Sequence, residues 1–205
     1  MLVSEFVAAI ALQMLKTIIV LLFCLTLIQN VFAQKVLVHV FMEDRKTGKN
    51  SDTIYYDPSR TLTWADFQGS PDLHHDGGAV TASGFAFNSD IRSTSNLIRI
   101  NIGVYTFFSK KASWKKPNIN SSYHLLHEQH HFDITRLGAG QFVSEISKTN
   151  FTRDNYQKVL VAVFDKVYNH SVELQHAYDA ETNHSINQAA QYRWNDKIES
   201  EIKKL

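Results

Sequence analysis

At 205 residues the chain is long enough for one hydrophobic core, and nothing in its composition marks a second domain, an internal repeat or a low-complexity linker. A single cysteine excludes an intramolecular disulfide framework. The net charge is +1, and the pairs Lys110-Lys111 and Lys115-Lys116 read as a solvated loop. No basic face is left to track a phosphate backbone, so nucleic acid is not an expected partner.

The first element in chain order is a targeting segment. Met14-Leu15-Lys16 precedes the apolar run Thr17 to Ile28, and Val31-Phe32-Ala33 resembles a small-residue cleavage site before Gln34. Residues 1–33 are therefore expected to be a signal peptide, with 1–13 as an extra N-terminal extension and Met14 as an alternative start. The apolar run is short for a bilayer span, so no stable membrane span is expected after cleavage; an uncleaved anchor is the alternative. Export places the mature chain outside the cell or in the periplasm or cell envelope. Cys24 would leave with the leader. Asn-x-Ser/Thr sequons at Asn120, Asn150, Asn169 and Asn183 matter only in a glycosylating host.

Residues 34–205 read as one domain, with strands first and helices after. Val36 to Met42 is apolar and Val-rich, and Ser51 to Tyr56 is a second short strand. Asp57-Pro58-Ser59-Arg60 is a turn, and a compact segment follows from Leu62 to Gly69. Val80 to Asn88 and Leu97 to Phe107 are two longer strands, bounded by Gly77-Gly78 and by the turn Ser93 to Ser95. A first helix starts at the cap Ser121-Ser122 and stops at Gly138 and Gly140, four to five turns later. A second helix runs from near Thr152 to about Ala177, with apolar residues at Val159, Leu160, Val163, Phe164 and Val167. Tyr178 to His184 breaks the pattern, and a last helix runs from about Ser185 through Ile186, Ala190, Trp194 and Ile198. This order predicts an α+β fold, an N-terminal antiparallel sheet packed with three C-terminal helices.

The first helix carries the chemistry. His127-Glu128-Gln129-His130-His131 is an H-E-x-x-H motif. Positions i and i+4 share one helix face, so His127 and His131 can aim two imidazoles at one zinc ion. Glu128 sits beside them as a general base for an attacking water. His124 reads as a packed or supporting histidine and His130 as a surface residue. Asp133 is either an orienting partner for a ligating imidazole or an ordinary surface carboxylate.

A catalytic zinc takes three protein ligands and keeps one position open. The third ligand must come from another element. The segment Tyr178-Asp179-Ala180-Glu181-Thr182-Asn183-His184 is the best source, with Asp179, Glu181 and His184 all eligible. His74-His75-Asp76, before Gly77-Gly78, is a weaker source and reads as a polar turn.

The cluster Leu125 to Ile134, centred on His127-Glu128-Gln129-His130-His131-Phe132-Asp133, resembles the signature of a family of predicted secreted zinc-dependent proteases of bacteria. The resemblance covers nearly all of the mature chain. Trp64-Ala65-Asp66-Phe67-Gln68-Gly69 is similar to the family's W-x-D-F-x-G motif, Ala79 to Ser83 to its next strand, and Phe107-Phe108 with Ser113-Trp114 to its F…SW segment. Tyr178-Asp179-Ala180-Glu181-Thr182-Asn183-His184 resembles Y-D-x-x-T-x-H, with Gln191 and Trp194 matching residues after it. One departure is Ser185, where the family usually has Gly. The resemblance implies a zincin-like active-site helix, a zinc cofactor, a peptide or protein substrate, and His184 as the third ligand.

Together these readings predict an exported zinc-dependent hydrolase, a metallopeptidase. Zinc is held by His127, His131 and His184, Glu128 is the base, and Tyr178 is a candidate hydrogen-bond donor to the developing oxyanion. The alternative is a non-catalytic envelope or binding protein with a structural zinc closed by four protein ligands. Substrate preference and oligomeric state have no signature in the sequence.

Overall fold

The computed structural model describes residues 13–19 and 35–205. Residues 13–19 are helical. The rest of the expected leader, with Cys24 and the cleavage site after Ala33, lies outside the described residues. Among the described residues, no helix is long and apolar enough to cross a membrane.

The fold is α+β, with strands preceding helices. Strands β1 (Lys35–Met42), β2 (Thr53–Tyr55), β3 (Ala79–Val80), β4 (Ser83–Ser93), β5 (Leu97–Ser109) and β6 (Trp114–Lys115) are followed by helices α1 (Ser122–Lys148), α2 (Tyr156–Thr182) and α3 (Gln188–Ile202). The long β5 is the spine of the main sheet. β4 lies antiparallel along it, from Ser83↔Phe108 to Ser93↔Ile98. β1 runs parallel to its first part, from Lys35↔Leu97 to Met42↔Val104, and β2 pairs antiparallel with Phe107 to Ser109. β4 covers one edge of β5, so β1 and β2 share the other. The sheet is thus mixed, not antiparallel as expected. Hydropathy along β1 sets which face is buried but carries no information on strand direction, and the long return from β1 makes the parallel pairing possible.

One face of the sheet is buried by the helices. Ile98, Ile100, Ile102 and Val104 of β5 and Phe85 of β4 pack against Ala139, Phe142 and Ile146 of α1 and Leu160 and Val167 of α2. A second cluster, Ile54, Leu62, Phe67, Phe108 and Phe132, ties the 62–69 segment to the front half of α1. A third, Ile134, Tyr178, Trp194 and Ile198, joins the three helices.

Two expected boundaries moved for a physical reason. α1 does not stop at Gly138 and Gly140 but continues for 27 residues in all. Those glycines are contact points, not caps. A Cβ on Gly138 would lie 2.8 Å from Ser171 Oγ and 3.2 Å from Phe85, and one on Gly140 would collide with Leu205. Close approach of helix and neighbour imitates a C-cap in sequence. Similarly, α2 continues to Thr182, and the break falls on Asn183, His184 and Ser185, which all have positive φ (47°, 50° and 71°). α3 then begins at Gln188, capped by Asn187, whose side chain accepts from Ala190 N–H.

A candidate metal centre between three helices

Ser121 opens α1 by accepting a hydrogen bond from His124 N–H, and its Oγ also meets His124 Nδ1 at 2.5 Å. His124 therefore belongs to the helix cap and does not support the ligating rings. One turn on, His127 and His131 project side by side from the face that meets α2 and α3. Both are buried, and their Nε2 atoms are 3.2 Å apart. Because α2 packs antiparallel to α1, its last turn returns to this level. There Asp179 Oδ1 lies 3.1 Å from His127 Nε2 and 3.0 Å from His131 Nε2. These three side chains form a group able to hold a metal ion.

The outer partners fix which imidazole nitrogen faces inward. His127 Nδ1 is 2.8 Å from Gln191 Oε1 of α3. The amide nitrogen of Gln191 donates to Tyr178 Oη at 2.5 Å and Asn195 Oδ1 at 2.7 Å, so its carbonyl must be the end presented to His127. His131 Nδ1 is 2.5 Å from Gln175 Oε1, and the Gln175 amide nitrogen donates to His131 O and Thr135 Oγ1. Each glutamine carbonyl thus accepts a hydrogen bond from Nδ1–H, and each ring, when neutral, turns an Nε2 lone pair toward the centre.

Three acceptor atoms facing one another at 3.0–3.2 Å repel unless a cation lies among them. Two imidazolium N–H groups cannot both occupy the 3.2 Å gap between the rings, whereas one metal ion serves all three atoms. Zinc ligands at 2.0–2.1 Å in tetrahedral array are about 3.3 Å apart, which the observed spacing fits. The two carboxylates, Asp179 and Glu128, also make this point negative, which favours a cation there, a proton or a metal ion. Burial alone would lower His131, but the Asp179 hydrogen bond and the Glu128 charge outweigh it and raise its pKa. Burial would raise Asp179, yet hydrogen bonding to His127 and His131 holds it well below the usual carboxylate range.

The converging group has Asp179, and not the expected His184, as its third member. Asp179 is still in the helix, on the face toward α1. His184 lies beyond the left-handed turn, where its Nδ1 stands 3.3 Å from Asp179 Oδ1, and it is not one of the converging group. The turn itself closes when the backbone N–H of His184 bonds Asp179 O. Glu181 is turned away and accepts from Trp194 Nε1 at 2.8 Å. Ser185 has a φ of 71°, a conformation that Gly adopts freely. Ser185 is buried, and its carbonyl accepts from Tyr123 Oη at 2.7 Å.

Tyr178 is not placed to meet an oxyanion. It is fully buried, stacked on His127 at 4.6 Å and edge-on to His131 and Trp194. Its hydroxyl is spent on the Gln191 amide and on His127 O at 3.4 Å. It is a backing plate for the ligands.

Glu128, also buried, is tethered by a residue that sequence reading missed. Thr81 Oγ1 lies 2.7 Å from Glu128 Oε2 and 3.1 Å from Glu128 O. Thr81 falls in the break between β3 and β4, which the sequence presents as one uninterrupted strand. The break is held by Ala82 N–H donating to Ser113 Oγ and by Gly69 N–H donating to Ser113 O. The 62–69 segment braces the helix as well: Leu62 N–H donates to Gln129 Oε1, and Asp66 accepts from Thr63 N–H and pairs with Arg60 at 2.9 Å. A cleft of about 540 Å³ opens over Glu128, His131 and Asp179, with Thr81, His75 and His184 at its rim.

The opposite face of α1 departs from expectation too. His130 is almost wholly buried rather than on the surface. Its Nδ1 is 3.0 Å from Asp133 Oδ2, while Asp133 Oδ1 accepts from Tyr56 Oη and Gln129 Nε2. Asp133 therefore orients a non-ligating histidine. The His74-His75-Asp76 segment is a turn, as expected, with His75 Nδ1 accepting from Gly77 N–H.

Compared with known proteins, the chain matches no family model, no curated protein and no solved structure.

Proposed function

We propose that the protein is a zinc-dependent hydrolase of peptide bonds, acting after export. The observation that carries this reading is the convergence of His127 Nε2, His131 Nε2 and Asp179 Oδ1 beside Glu128 at the floor of an open cleft. The resemblance of the H-E-x-x-H and Y-D-x-x-T-x-H segments to secreted zinc-dependent proteases supports the same reading. Bound zinc would supply Lewis acidity at this point. The chain's own groups do the proton work. Thr81 holds Glu128 Oε2, which fixes the carboxylate for accepting a proton from an attacking water. Glu128 then returns that proton to the amine that leaves as the C–N bond breaks. Gln175 and Gln191 keep the ligating rings in one tautomer, and the cleft above them has room for an extended peptide segment.

The alternative, a structural zinc closed by four protein ligands, has less support. Only three groups converge among the described residues, and such a site has no use for a buried, tethered carboxylate next to a ligand. The test is zinc stoichiometry together with turnover of a broad peptide library by the wild type and Glu128→Gln. The expected result is one zinc in both proteins and a loss of turnover of roughly 10²–10⁴-fold in the variant. Turnover that survives Glu128→Gln would sink this mechanism, and a wild type with zinc but no turnover would favour the structural reading.

A further inference from the structure

A second cavity, larger than the metal cleft, takes no part in the reading above. It measures about 770 Å³ and lies by the 44–49 loop between β1 and β2, with Tyr55, Tyr56, Arg60, Lys110 and Arg136 completing its wall. A chain of net charge +1 brings six of its cationic side chains to this one cavity: Arg45, Lys46, Lys49, Arg60, Lys110 and Arg136. The lining itself holds two carboxylates, Asp44 and Asp57. Two of the cations are already neutralised, Arg45 by Glu43 at 2.9 Å and Arg60 by Asp66 at 2.9 Å. Lys46, Lys49, Lys110 and Arg136 make no ion pair among the described residues.

Arg136 is the informative one. It projects from α1 and is half-buried, with its guanidinium 5.1 Å from the centre of the Tyr56 ring. That ring is held in place by the Tyr56 hydroxyl, which donates to Asp133. Burial lowers the pKa of Arg136, and Asp44 only partly offsets this. A partly desolvated guanidinium with no carboxylate in ion-pair contact is costly unless an anion completes it. Its planar fork suits tetrahedral oxyanions.

From this arrangement we propose that the cavity binds a small organic anion carrying two or more phosphate or sulfate groups. The volume exceeds what one inorganic oxyanion fills and falls in the range of small-molecule sites. Arg136 and Lys110, on the walls, and Lys46 and Lys49, on the loop, take the charged groups. The faces of Tyr55 and Tyr56 take the body of the ligand. This site is independent of the hydrolase reading, because none of its lining residues belongs to the metal centre.

The experiment is calorimetric titration of the folded protein with inositol hexasulfate and with inositol hexakisphosphate, at low and at physiological salt. At least one probe should bind with a Kd below about 1 mM and weaken as salt rises. The ratio of the two affinities separates a sulfated from a phosphorylated ligand. Arg136→Gln and the double change Lys46→Ser/Lys49→Ser should each weaken binding by about tenfold or more, while Lys158→Ser, on the exposed side of α2, should not. Circular dichroism and thermal denaturation verify folding, and the loop double variant carries the test if Arg136→Gln is unstable. Failure of both probes to bind, or binding that neither cavity variant weakens, overturns the proposal. So does an equal loss in Lys158→Ser.

Discussion

Asp179 meets His127 and His131 through Oδ1, the same oxygen that lies 3.3 Å from His184 Nδ1. This makes the two residues separable by mutation. Asp179→Ala removes a ligand and leaves two lone pairs facing each other, so zinc affinity should fall by more than about 100-fold. His184→Ala removes only a neighbour of the carboxylate, and affinity should stay within about tenfold of wild type. Competitive titration with a chelator measures both, and equal losses would return His184 to the ligand set. The pairing of two histidines was legible in the sequence, because helical periodicity alone brings i and i+4 together, and so was the position of Glu128 next to them. The choice between Asp179 and His184 was not. It depends on where α2 ends, and that was set by three residues in left-handed conformation, none of them glycine. Thr81 and Gln175 carried no sequence signal, since their roles arise only when distant segments meet.

Among the elements, the separation of α1 and α2 sets the distance from the histidines to Asp179. Gly138 permits that separation, with Ser171 of α2 packed where its side chain would be. Gly138→Val should wedge the helices apart and cost about 1–3 kcal/mol of stability. It should also lower zinc affinity although it touches no ligand. Thermal denaturation with and without zinc checks this: a variant as stable and as zinc-loaded as wild type would mean that the helices close up in another way. The same glycine shows why helix boundaries misled. In one dimension a glycine that admits a neighbour and a glycine that ends a helix look alike, and only the packing partner tells them apart. The order of strands and helices, by contrast, followed from hydrophobic period and turn residues, and it appears in the fold nearly as read.

For the whole molecule, Tyr56 links the 62–69 side of the protein to the front of α1 through Asp133. Burial, with the Asp133 charge and hydrogen bond beside it, pushes the Tyr56 phenol above its ordinary range. A raised pKa in the folded state means that the protonated form stabilises the fold. Its contribution is full below the unfolded value near pH 10 and is lost as pH rises through the folded value. Stability should therefore decline above about pH 10, and Tyr56→Phe should flatten that decline while costing about 1 kcal/mol at neutral pH. Chemical denaturation across the alkaline range measures both, and a profile unchanged by the variant would remove Tyr56 from this role. The mixed pairing of the sheet was the least legible feature at this scale, because strand direction is written in connections and not in residue pattern.

α1 is a single rod of 27 residues, about 40 Å long. Its rear half is clamped in the core by Ala139, Phe142 and Ile146, and its front half presents His127, Glu128 and His131. Clamped at one end and braced by Gln129 at the other, it acts as the fixed jaw of a vice. In the proposed hydrolase, accommodation to differently shaped substrates would then come from the opposing jaw, the exposed 70–76 turn that carries His75 and the left-handed turn at 183–185. On that reading the groups assigned to the chemistry and the parts that select what enters are divided between elements, so the rim can diversify in sequence while the rod stays as it is.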